Sequence, residues 1–325
     1  MSRHILVTGA TGKVGQTFIE ALFAKGNEGD RVRALCHNRT LPESDRLSVV
    51  KGSISDRDVV KKALEGITHV VHLATCKEIP EDVMDVTVKG MFWLLEEARE
   101  LEGFERFVLI GGDAGMGHFV YDHPEPVRDS QPWSPYPGCY ALSKVLEECM
   151  LEQYYIQYNF KGCCLRAPWI MEKDDFKYSL SFGDDAFGGP KPAELVDDPK
   201  AEVERKSVPV YLTAKDEPLQ RNFVHVDDLV EAMLVALDHP KAHQETFNIA
   251  MDEPVDYEVV GNYLKETQGM NPLPLKTPYH STWLDNTKAK LLLGWRPKVD
   301  TKTLIDRSWS YERSSEDQRK IWYPG

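Results

Sequence analysis

The chain lacks a cysteine framework. Its 6 cysteines are Cys36, Cys76, Cys139, Cys149, Cys163 and Cys164. No two form a C-x-x-C pair, and Cys163 and Cys164 are adjacent. That excludes zinc spacing and a disulfide scaffold, and reads as reduced, packed thiols. The chain also lacks an excess of positive charge. Its formal net charge is -13, so it has no basic surface for nucleic acid or anionic membrane. No apolar run reaches membrane-spanning length, and Met1-Ser2-Arg3-His4 leads straight into a strand-like segment without a signal-peptide pattern. The expectation is a cytoplasmic protein with no metal, nucleic-acid or membrane partner. What remains, 42% hydrophobic and 28% charged over 325 residues, suits a globular chain with a full core.

Short apolar runs alternate with amphipathic stretches through the first half. His4–Thr8, Arg31–Cys36, Leu47–Lys51, His69–Leu73, Arg106–Ile110 and Gly162–Leu165 read as strands buried on both faces. Val14–Lys25, Asp56–Leu64 (N-cap Ser55), Val83–Leu101 and Gly138–Tyr158 read as helices between them. This alternation predicts a Rossmann-type doubly wound parallel α/β sheet. From Glu172 to Gln220 the pattern loosens into acidic, Gly- and Pro-containing sequence, read as part of a smaller substrate-covering lobe. Helices are expected again at Asp227–Leu237, Val255–Thr267, Leu284–Leu293 and Thr301–Tyr311, and a strand at Thr246–Ile249. The expected division is a dinucleotide-binding domain over 1–168, with 221–250 returning to it, and a lobe from 169–220 and 251–325. No internal repeat occurs.

The strongest local signal is Thr8-Gly9-Ala10-Thr11-Gly12-Lys13-Val14-Gly15. A glycine triplet alone is weak, but here it follows a strand and opens a helix. Gly9 permits a tight turn, Gly12 lets the backbone approach a pyrophosphate, and Gly15 allows close helix–strand packing. The second strand ends in Leu35-Cys36-His37-Asn38-Arg39 with no acid for a ribose hydroxyl. Arg39, His37 or Arg33 can face a 2′-phosphate instead, which leans the cofactor expectation to NADP over NAD.

Tyr140-x-x-x-Lys144 opens the long helix expected over Gly138–Tyr158. The i, i+4 spacing sets both side chains on one face. A free phenol is a poor base near neutral pH, and a neighbouring ammonium favours its phenolate. Tyr140 is therefore the expected acid/base and Lys144 its partner.

At this point the chain resembles the extended short-chain dehydrogenase/reductases, the NAD-dependent epimerase/dehydratase group. The resemblance rests on the glycine turn, His72-Leu73-Ala74, Tyr140-x-x-x-Lys144, Arg221-Asn222-Phe223-Val224-His225-Val226-Asp227-Asp228 and Leu292-Leu293-Gly294-Trp295-Arg296-Pro297. It implies cofactor contacts at Gly9, Thr11, Gly12, Lys13 and Val14, at Ser53 and Ile54 for adenine, and at Leu73, Ala74 and Lys77 near the ribose and nicotinamide. It implies a homodimer through the helices at Val83–Leu101 and Gly138–Tyr158. Arg221 matches a position that contacts a substrate phosphate or carboxylate, with Arg166, Lys173 and His118 as weaker candidates for the same cleft.

The departures from the family are informative. Where it has a small hydroxyl residue after the fifth strand, this chain has Gly112, followed by Asp113. Asp113 is the favoured substitute contact, with Ser143 or a backbone N–H as alternatives. Thr87 replaces an asparagine, and Trp169 replaces an asparagine that contacts nucleotide-sugars, which points to a smaller or differently shaped substrate. Gly112, Asp113, Trp169 and Arg221 are the expected substrate contacts. The expected function is NAD(P)-dependent hydride transfer at a hydroxyl or carbonyl carbon of a sugar, polyol or sugar acid. The alternatives are a nucleotide-sugar 4-epimerase or dehydratase, and a non-catalytic NAD(P)-binding sensor or assembly subunit.

Overall fold

The computed structural model describes residues 2–183, 190–315 and 317. The first half runs β1 (His4–Thr8), α1 (Lys13–Lys25), β2 (Arg31–Cys36), β3 (Leu47–Lys51), α2 (Arg57–Leu64), β4 (His69–His72), α3 (Pro80–Val83), α4 (Gly90–Ala98), β5 (Arg106–Gly112), α5 (Cys139–Tyr158) and β6 (Gly162–Ala167). Then follow β7 (Trp169–Met171), α6 (Asp175–Ser179), α7 (Pro199–Glu204), β8 (Ser207–Leu212), β9 (Gln220–Arg221), β10 (Phe223–His225), α8 (Val226–Asp238) and β11 (Thr246–Asn248). The chain continues through β12 (Val255–Asp256), α9 (Tyr257–Gln268), β13 (Asn271–Lys276), α10 (Thr287–Leu293) and α11 (Thr301–Ser310).

Seven strands form one sheet in the order β11-β6-β5-β4-β1-β2-β3, and every pair is parallel. Alternate residues of each strand feed opposite cores. Ile5, Val7 and Val108 pack with Phe18 and Leu22 of α1 and Leu229 and Met233 of α8. Leu6, Phe107 and Leu109 pack with Leu64 of α2, Leu94 and Leu95 of α4 and Leu151 of α5. Double-sided burial is why these strands read as continuous apolar runs rather than alternating ones. Winding reverses at β1, which lies between β2 and β4, and this opens a crevice at the carboxyl ends of the strands.

A third core joins Met171, Phe176, Tyr211, Phe223, Tyr257 and Leu304 around the small pairs β7–β10, β9–β12 and β8–β13. The stretch expected to be loose therefore holds regular elements. Its periodicity is hidden because each piece is only 2–6 residues long, and β8 pairs with β13 from far along the chain. Residues 184–189 of that stretch lie outside the described residues. Ala289, Leu293 and Trp295, which the expected division put in the smaller lobe, bury with α1 and α8.

Two local expectations are corrected. Asp56, not Ser55, caps α2, its Oδ1 accepting the N–H groups of Asp58 (2.9 Å) and Val59 (3.4 Å). The single helix expected over Val83–Leu101 is interrupted by a π-helical turn, Met84–Lys89, in which Gly90 N–H reaches back to Asp85 O. There Thr87 Oγ1 accepts Cys76 N–H at 2.8 Å, fastening the loop after β4 to the helix. Such single π turns concentrate at functional sites.

Candidate functional site

The glycine turn is built as its spacing requires. Gly9 has φ +65°, and a Cβ there would lie 2.9 Å from Ala74 N. A Cβ on Gly15 would lie 2.6 Å from Gly9 O. Gly12 N–H donates to Gly9 O (3.0 Å), and Gly12 offers α1 no capping side chain. Nor does the first turn of α1 carry an acid. That is the arrangement a pyrophosphate at a helix N-terminus needs. Thr8 ties the turn to β4: its Oγ1 accepts Leu73 N–H and Ala74 N–H, both at 3.1 Å, and lies 2.7 Å from His72 Nδ1. With two N–H groups accepted, the Thr8 hydroxyl donates to Nδ1, which leaves His72 Nε2–H toward Glu147.

A cavity of about 440 Å³ runs from Gly9, Gly12 and Val14 past Leu73 to Tyr140, Lys144, Asp113, Trp169 and Arg221. Tyr140 stands at the start of α5, whose N-cap Gly138 has no side chain. Glu78 serves instead: Oε2 accepts Tyr140 N–H (3.3 Å) and Cys139 Sγ–H (3.2 Å), and Oε1 accepts the Tyr136 hydroxyl (3.3 Å). Lys77 Nζ lies 4.1 Å from the Tyr140 ring centroid and Lys144 Nζ lies 5.8 Å from it. The Tyr140 hydroxyl faces Gly112, where a Cβ would stand 3.6 Å from it.

Lys144 is buried. Its Nζ donates to Ile110 O (3.3 Å) and pairs with Glu147 Oε2 (2.8 Å). Burial works against its charge, but the neighbouring Glu147 and then Tyr140 outweigh that and hold its pKa above the ordinary lysine value. Glu147 is fully buried, and its other oxygen lies 3.5 Å from His72 Nε2. A chain of polar contacts thus joins Lys144, Glu147, His72 and Thr8, linking the Tyr–Lys pair to the glycine turn.

Asp113 does not stand free in place of the family hydroxyl. Its Oδ2 is hydrogen-bonded to His118 Nδ1, and Arg221 Nη2 donates to His118 Nε2 at 2.8 Å. Burial lowers the His118 pKa against the pull of Asp113, so the ring is neutral near pH 7. Its Nδ1–H therefore donates to Asp113 while Nε2 accepts from Arg221. The Arg221 guanidinium lies 4.1 Å from the Phe119 ring and 4.2 Å from the Trp169 ring, and it is hydrogen-bonded to Tyr257. Arg221 is buried and engaged within the protein while it still lines the cavity. Ser143 is likewise engaged: its hydroxyl donates to Tyr140 O at 2.8 Å and it has no exposure.

Three other arginine and lysine candidates are corrected. Arg33 donates to Ala63 O (3.1 Å) and Glu65 O (2.6 Å) at the end of α2. Arg166 is sealed against Glu148 by two hydrogen bonds of 3.1 and 2.8 Å. Lys173 pairs with Asp317 at 2.9 Å and does not line the cavity. Arg39 and His37 are exposed beyond β2. Lys13 lines the cavity but pairs with Asp175 Oδ2 (2.8 Å) and donates to Ile170 O (2.6 Å). Thr11 and Ala74 flank the turn: Thr11 O accepts from Gln16 Nε2 (2.7 Å), and Ala74 abuts Gly9. Ser53 shares a hydrogen bond with Ser55 (2.9 Å), and the Ile54 side chain is buried close to Gly90. Glu78, Glu147 and Tyr136 were missed in the sequence. A carboxylate three residues after Lys144 was the available signal for Glu147.

Fold and site together define a dinucleotide-dependent enzyme of the doubly wound class: the cradle rejects a Cβ at two of its glycines, and the cavity connects it to a Tyr–Lys pair. Comparison narrows the class. The profile of the NAD dependent epimerase/dehydratase family matches residues 5–171 and 200–250, and the chain belongs to that family. It is 27% identical over 315 residues to a UDP-glucose 4-epimerase of Mycolicibacterium smegmatis, covering 90% of this chain and 93% of that protein. It is 25% identical over 268 residues to dihydroflavonol 4-reductase of Hordeum vulgare, covering 74% of this chain and 68% of that one. A short-chain dehydrogenase/reductase superfamily protein of Agrobacterium tumefaciens, solved with bound NAD, superposes with a TM-score of 0.78 at 23% identity, over 94% of this chain and 95% of that one.

Proposed function

We propose that this enzyme is an NAD(P)-dependent oxidoreductase acting on a hydroxyl or carbonyl carbon of a sugar, polyol or sugar acid. The observation that carries the reading is the Tyr140 hydroxyl beside Gly112, with two ammonium groups near its ring, in a cavity continuous with the glycine turn. The residues suited to hold the dinucleotide are Gly9, Thr11, Gly12, Lys13 and Val14 for the pyrophosphate, Ser53 and Ile54 for adenine, and Leu73, Ala74, Lys77, Tyr140 and Lys144 for the ribose and nicotinamide. When bound, the nicotinamide accepts or supplies the hydride.

The chain's own part is proton transfer. Tyr140 takes the proton of the substrate hydroxyl, or returns it to a carbonyl oxygen, and the charge that develops on its oxygen is met by Lys144 and Lys77. Glu147 keeps Lys144 charged despite burial. Asp113 and Trp169 line the substrate side, with Gly112 leaving room between them and Tyr140. The elements around the third core form the substrate-covering lobe.

For the finer cofactor choice, the exposed Arg39 and His37, with no acid beside them, favour NADP. The exposed apolar residues Phe92 on α4 and Leu142 and Ile156 on α5 support a homodimer through those helices, and the acidic composition suits a cytoplasmic enzyme of carbohydrate metabolism. The relatives named as UDP-glucose 4-epimerases, matched over nine-tenths of the chain, favour a second reading in which the cofactor is regenerated within each turnover.

The test is Tyr140→Phe, assayed at 340 nm against sugars, polyols, aldonates and uronates with NAD and NADP. Turnover is expected to fall at least about a hundredfold with cofactor affinity nearly unchanged. Undiminished turnover in the variant would reject the assignment. Product formation without any change at 340 nm would select the epimerase reading.

A further inference from the structure

Among the described residues, four basic side chains other than histidine line the cavity: Lys13, Lys77, Lys144 and Arg221. Lys13 is paired with Asp175 and Lys144 with Glu147, both at 2.8 Å. Arg221 donates to His118 at 2.8 Å and is covered by the Phe119 and Trp169 rings. Lys77 lies over the Tyr140 ring. The same cavity carries the carboxylates of Asp113 and Glu78. Its cations are thus engaged, and two acids face the space where a substrate would enter.

A diphosphate or carboxylate bound beside Tyr140 would have to draw Lys13, Lys144 or Arg221 out of a buried contact, or compete with the Tyr140 ring for Lys77. That leaves the abandoned partner without compensation, a costly arrangement away from water. It would also approach Asp113, a like charge. A hydroxyl-bearing neutral molecule meets none of these costs. Asp113 is an acceptor whose one oxygen already takes the His118 N–H, which orients the group and leaves acceptor capacity for substrate hydroxyls. The half-buried Trp169 offers an aromatic surface on the same wall.

On the oxidoreductase reading above, we propose that the substrate is an uncharged polyol or free monosaccharide that donates hydroxyl hydrogen bonds to Asp113, and that sugar acids and nucleoside-diphosphate sugars are rejected. In this scheme His118 and Arg221 are positioning residues that act through Asp113.

The experiment has a binding arm and a kinetic arm, both on the full chain with NAD(P). In the binding arm, UDP and UDP-glucose are titrated by calorimetry, and dissociation constants weaker than ~1 mM are expected. Micromolar binding of either overturns the proposal whether or not any sugar turns over. In the kinetic arm, neutral monosaccharides and polyols are compared with the matching uronates and aldonates, and higher kcat/KM is expected for the neutral members. Asp113→Asn should raise KM for a neutral substrate by roughly tenfold and lower KM for its acidic counterpart. Movement of both KM values in one direction would mark a merely structural role and overturn the proposal. Hydride transfer to none of these compounds, with cofactor binding intact, would instead defeat the oxidoreductase reading on which it rests.

Discussion

The two ends of the cavity are made in opposite ways. The glycine end is shaped by missing side chains and an uncapped helix N-terminus drawn from one short stretch, Gly9 to Gly15. The tyrosine end is shaped by charged side chains from many segments: Lys77 and Glu78 after β4, Asp113 and His118 after β5, Lys144 and Glu147 on α5, and Arg221 on β9. One end depends on space and the other on charge. Substitutions at the first should act through cofactor binding and folding, and those at the second through turnover.

The first test falls on the glycine end. Gly15→Ala puts a methyl group 2.6 Å from Gly9 O and 2.7 Å from Ala10 Cα, atoms of the backbone that have no easy escape. Overpacking of this kind costs about 1–3 kcal/mol. Cofactor affinity, measured by fluorescence titration, should fall with it, and unchanged affinity would break the contrast between the two ends.

Next comes Glu147→Gln. The Lys144 pKa is raised in the folded enzyme, so the pair stabilises the fold throughout the range below the ordinary lysine value, and loses that contribution only as pH rises through the raised value. Removing the carboxylate at pH 7 therefore removes it in full and leaves a buried ammonium with only the Ile110 carbonyl and Tyr140 beside it. Denaturant unfolding should show a loss of about 3–5 kcal/mol. The kcat–pH profile should gain a fall toward alkaline pH, because Lys144 then sheds its proton more readily. Glu147→Asp should recover part of both losses. An unaltered profile would reduce Glu147 to packing.

A smaller effect lies at the opposite, amino-terminal edge of the sheet. Burial pushes His69 down to about 4, against the pull of Asp238, whose Oδ1 lies 3.5 Å away. The folded state then binds fewer protons than the unfolded one. Its contribution is complete above an ordinary histidine pKa of about 6.5 and is lost as pH falls from there toward 4. Stability should drop by up to about 1.4 kcal/mol per pH unit across this window, and His69→Gln should flatten the slope without altering the Tyr140 end.

Gly112→Ser should matter least for folding. Gly112 is extended, with φ -148°, and its Cβ would find ordinary contact distances, so the fold should accept the side chain without backbone movement. Restored hydroxyl chemistry beside Tyr140 should raise turnover rather than lower it. A fall in kcat would show that the glycine is required by the substrate's shape.

The sequence made the glycine end legible because a turn that needs φ +65° at Gly9 and bare backbone at Gly15 leaves few residue choices. Strands buried on both faces were readable for the same kind of reason. The tyrosine end was only half readable. Helical spacing related Tyr140 to Lys144, but nothing local shows that His118 stands between Asp113 and Arg221, 103 positions further on. Arg221 therefore looked available for an anion when tertiary contacts had already engaged it. The small strands of the third core escaped because their pairing partners lie across loops and helices, as β8 and β13 do.

Glu78 carries a consequence for anyone rebuilding this enzyme. It grips the backbone of Tyr140 from a different crossover, so the loop after β4 is part of the socket in which the Tyr140 phenol is seated. Grafting the tyrosine helix into a related scaffold without that loop would transfer the proposed acid/base and leave its mounting behind. Libraries that diversify the loop for new specificity should hold position 78 fixed.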